Sequence, residues 1–286
     1  METLPVTVRQ ASPDDVKFLI EFINADGWDF SEFDYKSDLA IDPDFLLVAV
    51  DCSEKPVGFG GVVKVNPSTY YFDDYIVRED LRHKGIGSKI WNAMLQRAGQ
   101  SNICLDGVSG SVEWYRKQGF IFESFKLHHY STVVTSVMKD PFQSPYDVIP
   151  LSENMWPSLM DYDKQVFPNF NREKLLRAWC HEALAVVALS EGNIVGYGCM
   201  HKKSQSEYGF RNVFGDNENV IETILRHMTA RIPDGSSLHF PLFDNKPVPS
   251  YLNKNCIFHG TTHRMFNKAV IKVNGDRIWM HSRTKI

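Results

Sequence analysis

Residues 82–87 read Arg-His-Lys-Gly-Ile-Gly and follow Ser68 to Val77, a run rich in aromatic and β-branched residues that has strand character. Gly85 and Gly87 let the backbone curl with its N–H groups turned inward. From Ser88 to Gly99, Ile90, Met94 and Leu95 form an apolar stripe, so the loop opens directly onto a helix N-terminus. Unpaired amides and partial positive charge at such a terminus hold an anion, and the chemistry this predicts is capture of a pyrophosphate. Neither GxxxxGK[ST] nor a GxGxxG within a parallel βαβ unit is present, which sets aside two standard phosphate loops. The ten histidines show no HxH or HExxH spacing, so no metal centre is expected.

The elements that position this loop are legible from pattern. Pro5–Gln10 alternates as a strand. Ser12, Pro13, Asp14 and Asp15 then supply helix-start chemistry before the helical run Val16–Ala25. Residues 45–51 and 57–65 read as a hairpin, and 68–77 as the next strand. After the loop and its helix come a short strand at 102–106, a short helix at 111–118 closed by Gly119, and a final strand pair in 120–134. Residues 139–146, Lys-Asp-Pro-Phe-Gln-Ser-Pro-Tyr, read as a linker. Beyond it the order repeats, with a short helix expected at 247–255 and strands around 260–266 and 277–282. Two domains are expected, 1–138 and 147–286.

At 286 residues, 43% hydrophobic and 23% charged, the chain has ample material for two folded cores. A net charge of -4 argues against broad electrostatic binding of nucleic acid or of an anionic membrane. Five scattered cysteines, Cys52, Cys104, Cys180, Cys199 and Cys256, form no CxxC pair and suit a reducing compartment. No run approaches the length of a membrane span or a signal peptide, and a cytoplasmic protein is expected.

The strand ending at Val77, the Arg-x-x-Gly-x-Gly at 82–87 and Trp-Tyr-Arg-Lys-Gln-Gly-Phe at 114–120 together resemble the GNAT N-acetyltransferase superfamily over residues 4–135. The resemblance implies an α/β (α+β) fold of two GNAT-like domains, each a mixed, mostly antiparallel, splayed sheet flanked by helices. It implies acetyl-CoA as cosubstrate, with the pantetheine arm on the backbone of Tyr75, Ile76 and Val77. The pyrophosphate would rest on the loop Arg82, His83, Lys84, Gly85, Ile86, Gly87 and Ser88. It further implies Tyr115 as the acid that protonates the departing sulfur, and Asp73 or Asp74 as the base. Neighbouring strand residues point to opposite faces, so only one aspartate is expected to serve, with Tyr71 or a water chain as the alternative. The sequence departs from the family at Val108 and Ser111, where Asn and Ala are common; this shifts the hold on the arm towards Ser109.

In the second half, Asn212–Ile224 stands where the loop would be, with Asp216, Glu218 and Glu222 in place of basic residues; their charge would repel a pyrophosphate. This half, with Asn245 and His263-Arg264-Met265-Phe266, resembles the divergent C-terminal domain of tandem acetyltransferases of the YitH-like kind. That resemblance implies a partner domain that helps form the acceptor site. Trp156, Phe167, Phe170 and Trp179 are expected in core or interface. The reading is an N-acetyltransferase acting by direct attack of a primary amine, from a small amine, amino acid or peptide. The alternative is a non-catalytic acyl-CoA sensor. Acceptor identity and oligomeric state are not readable from the residues.

Overall fold

Each capping pattern and apolar stripe becomes an element in the computed structural model, which describes residues 5–28, 30–181 and 183–281. The first half runs β1 (Thr7–Gln10), α1 (Val16–Ala25), α2 (Glu32–Ile41), β2 (Leu46–Val50), β3 (Pro56–Asn66) and β4 (Thr69–Val77). It continues through α3 (Ile86–Ala98), β5 (Asn102–Val108), α4 (Val112–Lys117) and β6 (Phe122–Val133). The second half runs β7 (Asp147–Pro150), α5 (Trp156–Val166), α6 (Glu173–Cys180), β8 (Leu184–Ser190), β9 (Asn193–Lys202) and β10 (Glu207–Gly215). It ends with α7 (Glu218–Thr229), β11 (Ser237–Phe243), β12 (Ile257–Phe266) and β13 (Ile278–His281). Both early helices start on reciprocal capping boxes, Ser12 with Asp15 and Ser31 with Asp34.

All thirteen strands of the described residues join one mixed, mostly antiparallel sheet, ordered β1-β2-β3-β4-β5-β12-β6-β11-β13-β10-β9-β8-β7. The expected strand pair in 120–134 is corrected by this order. Residues 122–133 are one strand, and its partner on the β5 side is β12, delivered from the second half. β12 satisfies the second edge of β5, whose first edge pairs with β4, and one edge of β6 at once. The helix expected at 247–255 is also absent: only Asn253–Asn255 form a single 3-10 turn, because Pro247 and Pro249 lack the N–H donors a helix needs.

Cores lie on both faces. One face packs α1, with Leu19, Phe22 and Ile23, against Phe59, Val63 and Tyr71. Through Ile41, Val65 and Ile271 it continues into the layer of α5 and α6, where Trp156, Phe167, Phe170 and Trp179 are buried. The opposite face carries α3, with Ile90, Trp91 and Met94, and α7, with Ile221, Ile224 and Leu225. Among the described residues no helix is long and apolar enough to cross a membrane.

Candidate active site

The splay between β4 and β5 positions everything else. The two strands pair in parallel only from Thr69–Phe72 to Asn102–Leu105. Beyond Phe72, β4 stays bonded to β3, while β5 turns to β12 through Asp106, Gly107 and Val108. The β5-facing edge of Asp73–Val77 is therefore left open to an extended guest, with the carbonyl of Val77 receiving the Arg82 Nε–H at 3.0 Å.

The loop at the end of that edge is strongly curled. His83 at φ 63° and Gly85 at φ 81° are both left-handed, and α3 begins at Ile86, two residues earlier than the sequence pattern indicates. Among the described residues the amides of His83 to Ser88 meet no acceptor; the first helical bond is Lys89 N–H to Gly85 O, at 3.4 Å. Six clustered donors without acceptors at a helix N-terminus fit a diphosphate. The basic side chains are less free than their sequence suggests. Arg82 grips both carboxylate oxygens of Asp26 at 2.6 Å, and Lys84 Nζ donates to Asp80 O at 3.0 Å. The main-chain amides are thus the least engaged donors of the loop, with His83 exposed beside them.

Tyr115 on α4 lies with its ring against Gly107 of β5; a Cβ at Gly107 would fall 2.9 Å from Tyr115 Cδ2, so only glycine permits this approach. Burial, reinforced by Tyr75 and by the negative charge of Asp73, pushes its phenol well above the ordinary tyrosine range. It stays protonated at neutral pH and is available as an acid. Ser109 donates to Thr261 O at 3.0 Å and lies 3.3 Å from His263 Nε2, so its hydroxyl is joined to β12.

The two aspartates do not face apart. Asp74 has φ 48°, and the register between β3 and β4 shifts between Phe59 and Gly61. This bulge breaks the strand's alternation and brings carboxyl oxygens of Asp73, Asp74 and Asp38 of α2 within 4.8 Å of one another. The expectation of opposite faces is corrected by that backbone kink. Asp73 is half-buried and Asp74 buried, and Asp73 Oδ1 accepts the Asp74 N–H at 3.0 Å.

Two ionic links from the second half were missed by sequence reasoning. Arg264 of β12, fully buried, holds Asp106 of β5 through Nε at 2.6 Å and Nη2 at 2.9 Å, while Tyr71 Oη donates to the same carboxylate at 2.9 Å. Arg211 of β10 pairs with Asp34 of α2 and lies 3.2 Å from His201 Nε2. His201 Nδ1–H donates to Gly209 O at 2.9 Å, which leaves Nε2 to accept from Arg211 and makes this imidazole neutral. The signals available were the acids spaced four apart at Asp34 and Asp38 and the singled-out phrase containing Arg264.

The second half contains the corresponding splay, but it is filled. β10 and β11 pair in parallel only at Glu207–Gly209 with Ser237–His239. Where they diverge, β13 enters between them, antiparallel to both. Its α7 is capped by Asn217, whose side chain accepts the Val220 N–H at 3.1 Å, and Asp216 beside it pairs with Arg277 at 3.2 Å.

Comparison with known proteins agrees with this geometry. Residues 15–120 match the Acetyltransferase (GNAT) family. The chain is 21% identical over 234 residues to a holothin acyltransferase of Pseudoalteromonas sp., covering 81% of this chain and 77% of that protein. A putative acetyltransferase from Pyrococcus horikoshii superposes with a TM-score of 0.74 at 19% identity, over 98% of this chain and 95% of that one. A tandem GNAT protein from the clavulanic acid biosynthesis pathway superposes with a TM-score of 0.62 at 10% identity, over 92% and 97% of the two chains. An open splay, a curled loop on a helix N-terminus and the match over residues 15–120 make the first half similar to a GNAT acyltransferase domain.

Proposed function

We propose that the chain transfers an acetyl group from acetyl-CoA to a primary amine by direct attack, with one acyl-CoA bound per chain. The observation that carries this reading is the run of acceptor-free amides at His83–Ser88, standing at the end of the open β4 edge. Tyr75, Ile76 and Val77 offer main-chain groups to an extended arm, residues 82–88 receive the diphosphate, and Ser109 borders the β5 side. A thioester supplies an activated carbonyl, which a main-chain N–H of β4 would polarise.

In this reading Asp73 takes the proton of the attacking amine, since its charge is the one felt at both Tyr71 and Tyr115. The amine nitrogen bonds to the acyl carbon, the carbon–sulfur bond breaks, and Tyr115 gives its proton to the sulfur. Asp74, locked in the bulge, shapes the backbone beside it. The second half, residues 147–286 joined through 139–146, is read as a divergent GNAT-like copy that walls the acceptor side through Arg264 and Arg211. Its own splay is occupied by β13, which supports a single cofactor site. Five free cysteines are consistent with a cytoplasmic setting.

Calorimetric titration with acetyl-CoA tests the reading: binding with a stoichiometry near one is the expected result, and no binding at millimolar cofactor would end it. Val108 and Ser111 favour the second reading, an acyl-CoA sensor. Measuring thiol release across small amines, amino acids and peptides separates the two, because a sensor binds without releasing CoA.

A further inference from the structure

Between the amides of α3 and the phenol of Tyr115 stands a cluster of aromatic rings that the reaction as described does not use. Tyr75 of β4 stacks on Trp114 of α4, with centroids 5.9 Å apart and planes 12° from parallel. Trp91 of α3 touches both, at 5.5 Å from Tyr75 and 5.0 Å from Trp114, and lies 5.9 Å from Tyr115. The Tyr75 hydroxyl rests on the first turn of α3, where a Cβ on Gly87 would fall 2.6 Å from it. Rings from β4, α3 and α4 therefore close the space that links the anion cradle to the acid.

Two members of this cluster differ sharply. Trp91 is 3% exposed, yet its indole N–H has no acceptor among the described residues. A buried donor without an acceptor is costly, and at this end of the open β4 edge an arriving group can supply the missing oxygen. Trp114 is 38% exposed and sits on a six-residue helix. Its side chain is the one that can leave the cluster without opening the core, because Trp91 is anchored among Phe72, Phe120 and Tyr115.

A pantetheine arm is a chain of methylenes interrupted by amides. It matches an aromatic-walled passage containing one N–H donor. We infer that Trp91 is a further acyl-CoA-binding residue whose indole N–H donates to an amide carbonyl of the pantetheine arm, and that Trp114, stacked on Tyr75, covers this passage and turns outward when the arm enters. The inference rests on the acyl-CoA reading above and extends it to the passage between the two ends of the cofactor.

The test compares wild type, Trp91→Phe and Trp114→Phe, titrated with acetyl-CoA and with adenosine 3′,5′-bisphosphate, which lacks the arm. Calorimetry reads affinity, and tryptophan emission with acrylamide quenching reads the position of Trp114. In wild type, acetyl-CoA is expected to red-shift emission and raise quenching, whereas the bisphosphate changes neither. Trp114→Phe should still bind acetyl-CoA but lose that spectral response. Trp91→Phe keeps a ring and removes the donor, so its affinity for acetyl-CoA should fall about three- to tenfold while that for the bisphosphate stays level. Thermal melts of both variants establish that they fold. Acetyl-CoA binding to wild type without any Trp114 response, or equal weakening of both ligands by Trp91→Phe, would overturn the inference and leave the acyl-CoA reading standing. Failure of wild type to bind acetyl-CoA at all would overturn both.

Discussion

On the proposed reading Tyr115 and Asp73 divide the proton work, and their variants should separate binding from chemistry. Tyr115→Phe is expected to lower kcat by about a hundredfold or more, with acetyl-CoA affinity changed less than about threefold. Because burial, then Tyr75 and Asp73, raise the phenol's pKa, the acid remains protonated as pH rises. No alkaline loss of kcat from this group is expected below about pH 10, the ordinary tyrosine value. Asp73→Asn should lower kcat at every pH tested, and Asp74→Asn, which tolerates a left-handed backbone, should leave most of it. The curled loop at a helix start was readable from Arg82 to Gly87 because glycine spacing on a helix start is a local property. The convergence of Asp38, Asp73 and Asp74 was not, because a bulge depends on how β3 pairs with β4 and leaves no mark in either strand alone.

At the scale of elements, capping and pairing set the stability of the parts. Asp15 lies under opposing influences: burial raises its pKa, but hydrogen bonds from Arg9 and Ser12 outweigh that, and the folded value is lowered. A lowered carboxyl pKa contributes stability that is present above the unfolded value and lost as pH falls through the folded one. Asp15→Asn should thus cost about 1 kcal/mol in urea denaturation at pH 7, with the difference from wild type shrinking below about pH 4. Arg264→Met is a harsher change. It leaves the half-buried Asp106 with only Tyr71 in place of its guanidinium, and a loss of about 3 kcal/mol is expected in the same measurement. Most elements followed from periodicity, as in Val16–Ala25 and Ile86–Ala98. Long-range partners were beyond reach, since nothing in Ile257–Phe266 states that it belongs between β5 and β6.

At the scale of the whole molecule, the halves are interleaved: β12 enters the first half's portion of the sheet and β6 reaches β11 of the second. A fragment ending at residue 138 should accordingly be insoluble or poorly folded, because β5 and β6 lose the strand that joins them; gel filtration and circular dichroism of the fragment provide the check. A soluble, monomeric, sheet-containing fragment would contradict this account. The placement of β12 also governs the order of events during synthesis. Strand 257–266 leaves the ribosome only after the segments that form β7 to β11, so the nascent first half must wait, with one edge of β5 and both edges of β6 unmated, for that stretch of polypeptide to follow. Biogenesis of the catalytic cleft is therefore a late step, and a stalled or prematurely terminated message would yield chains that have the cradle's residues but no assembled cleft.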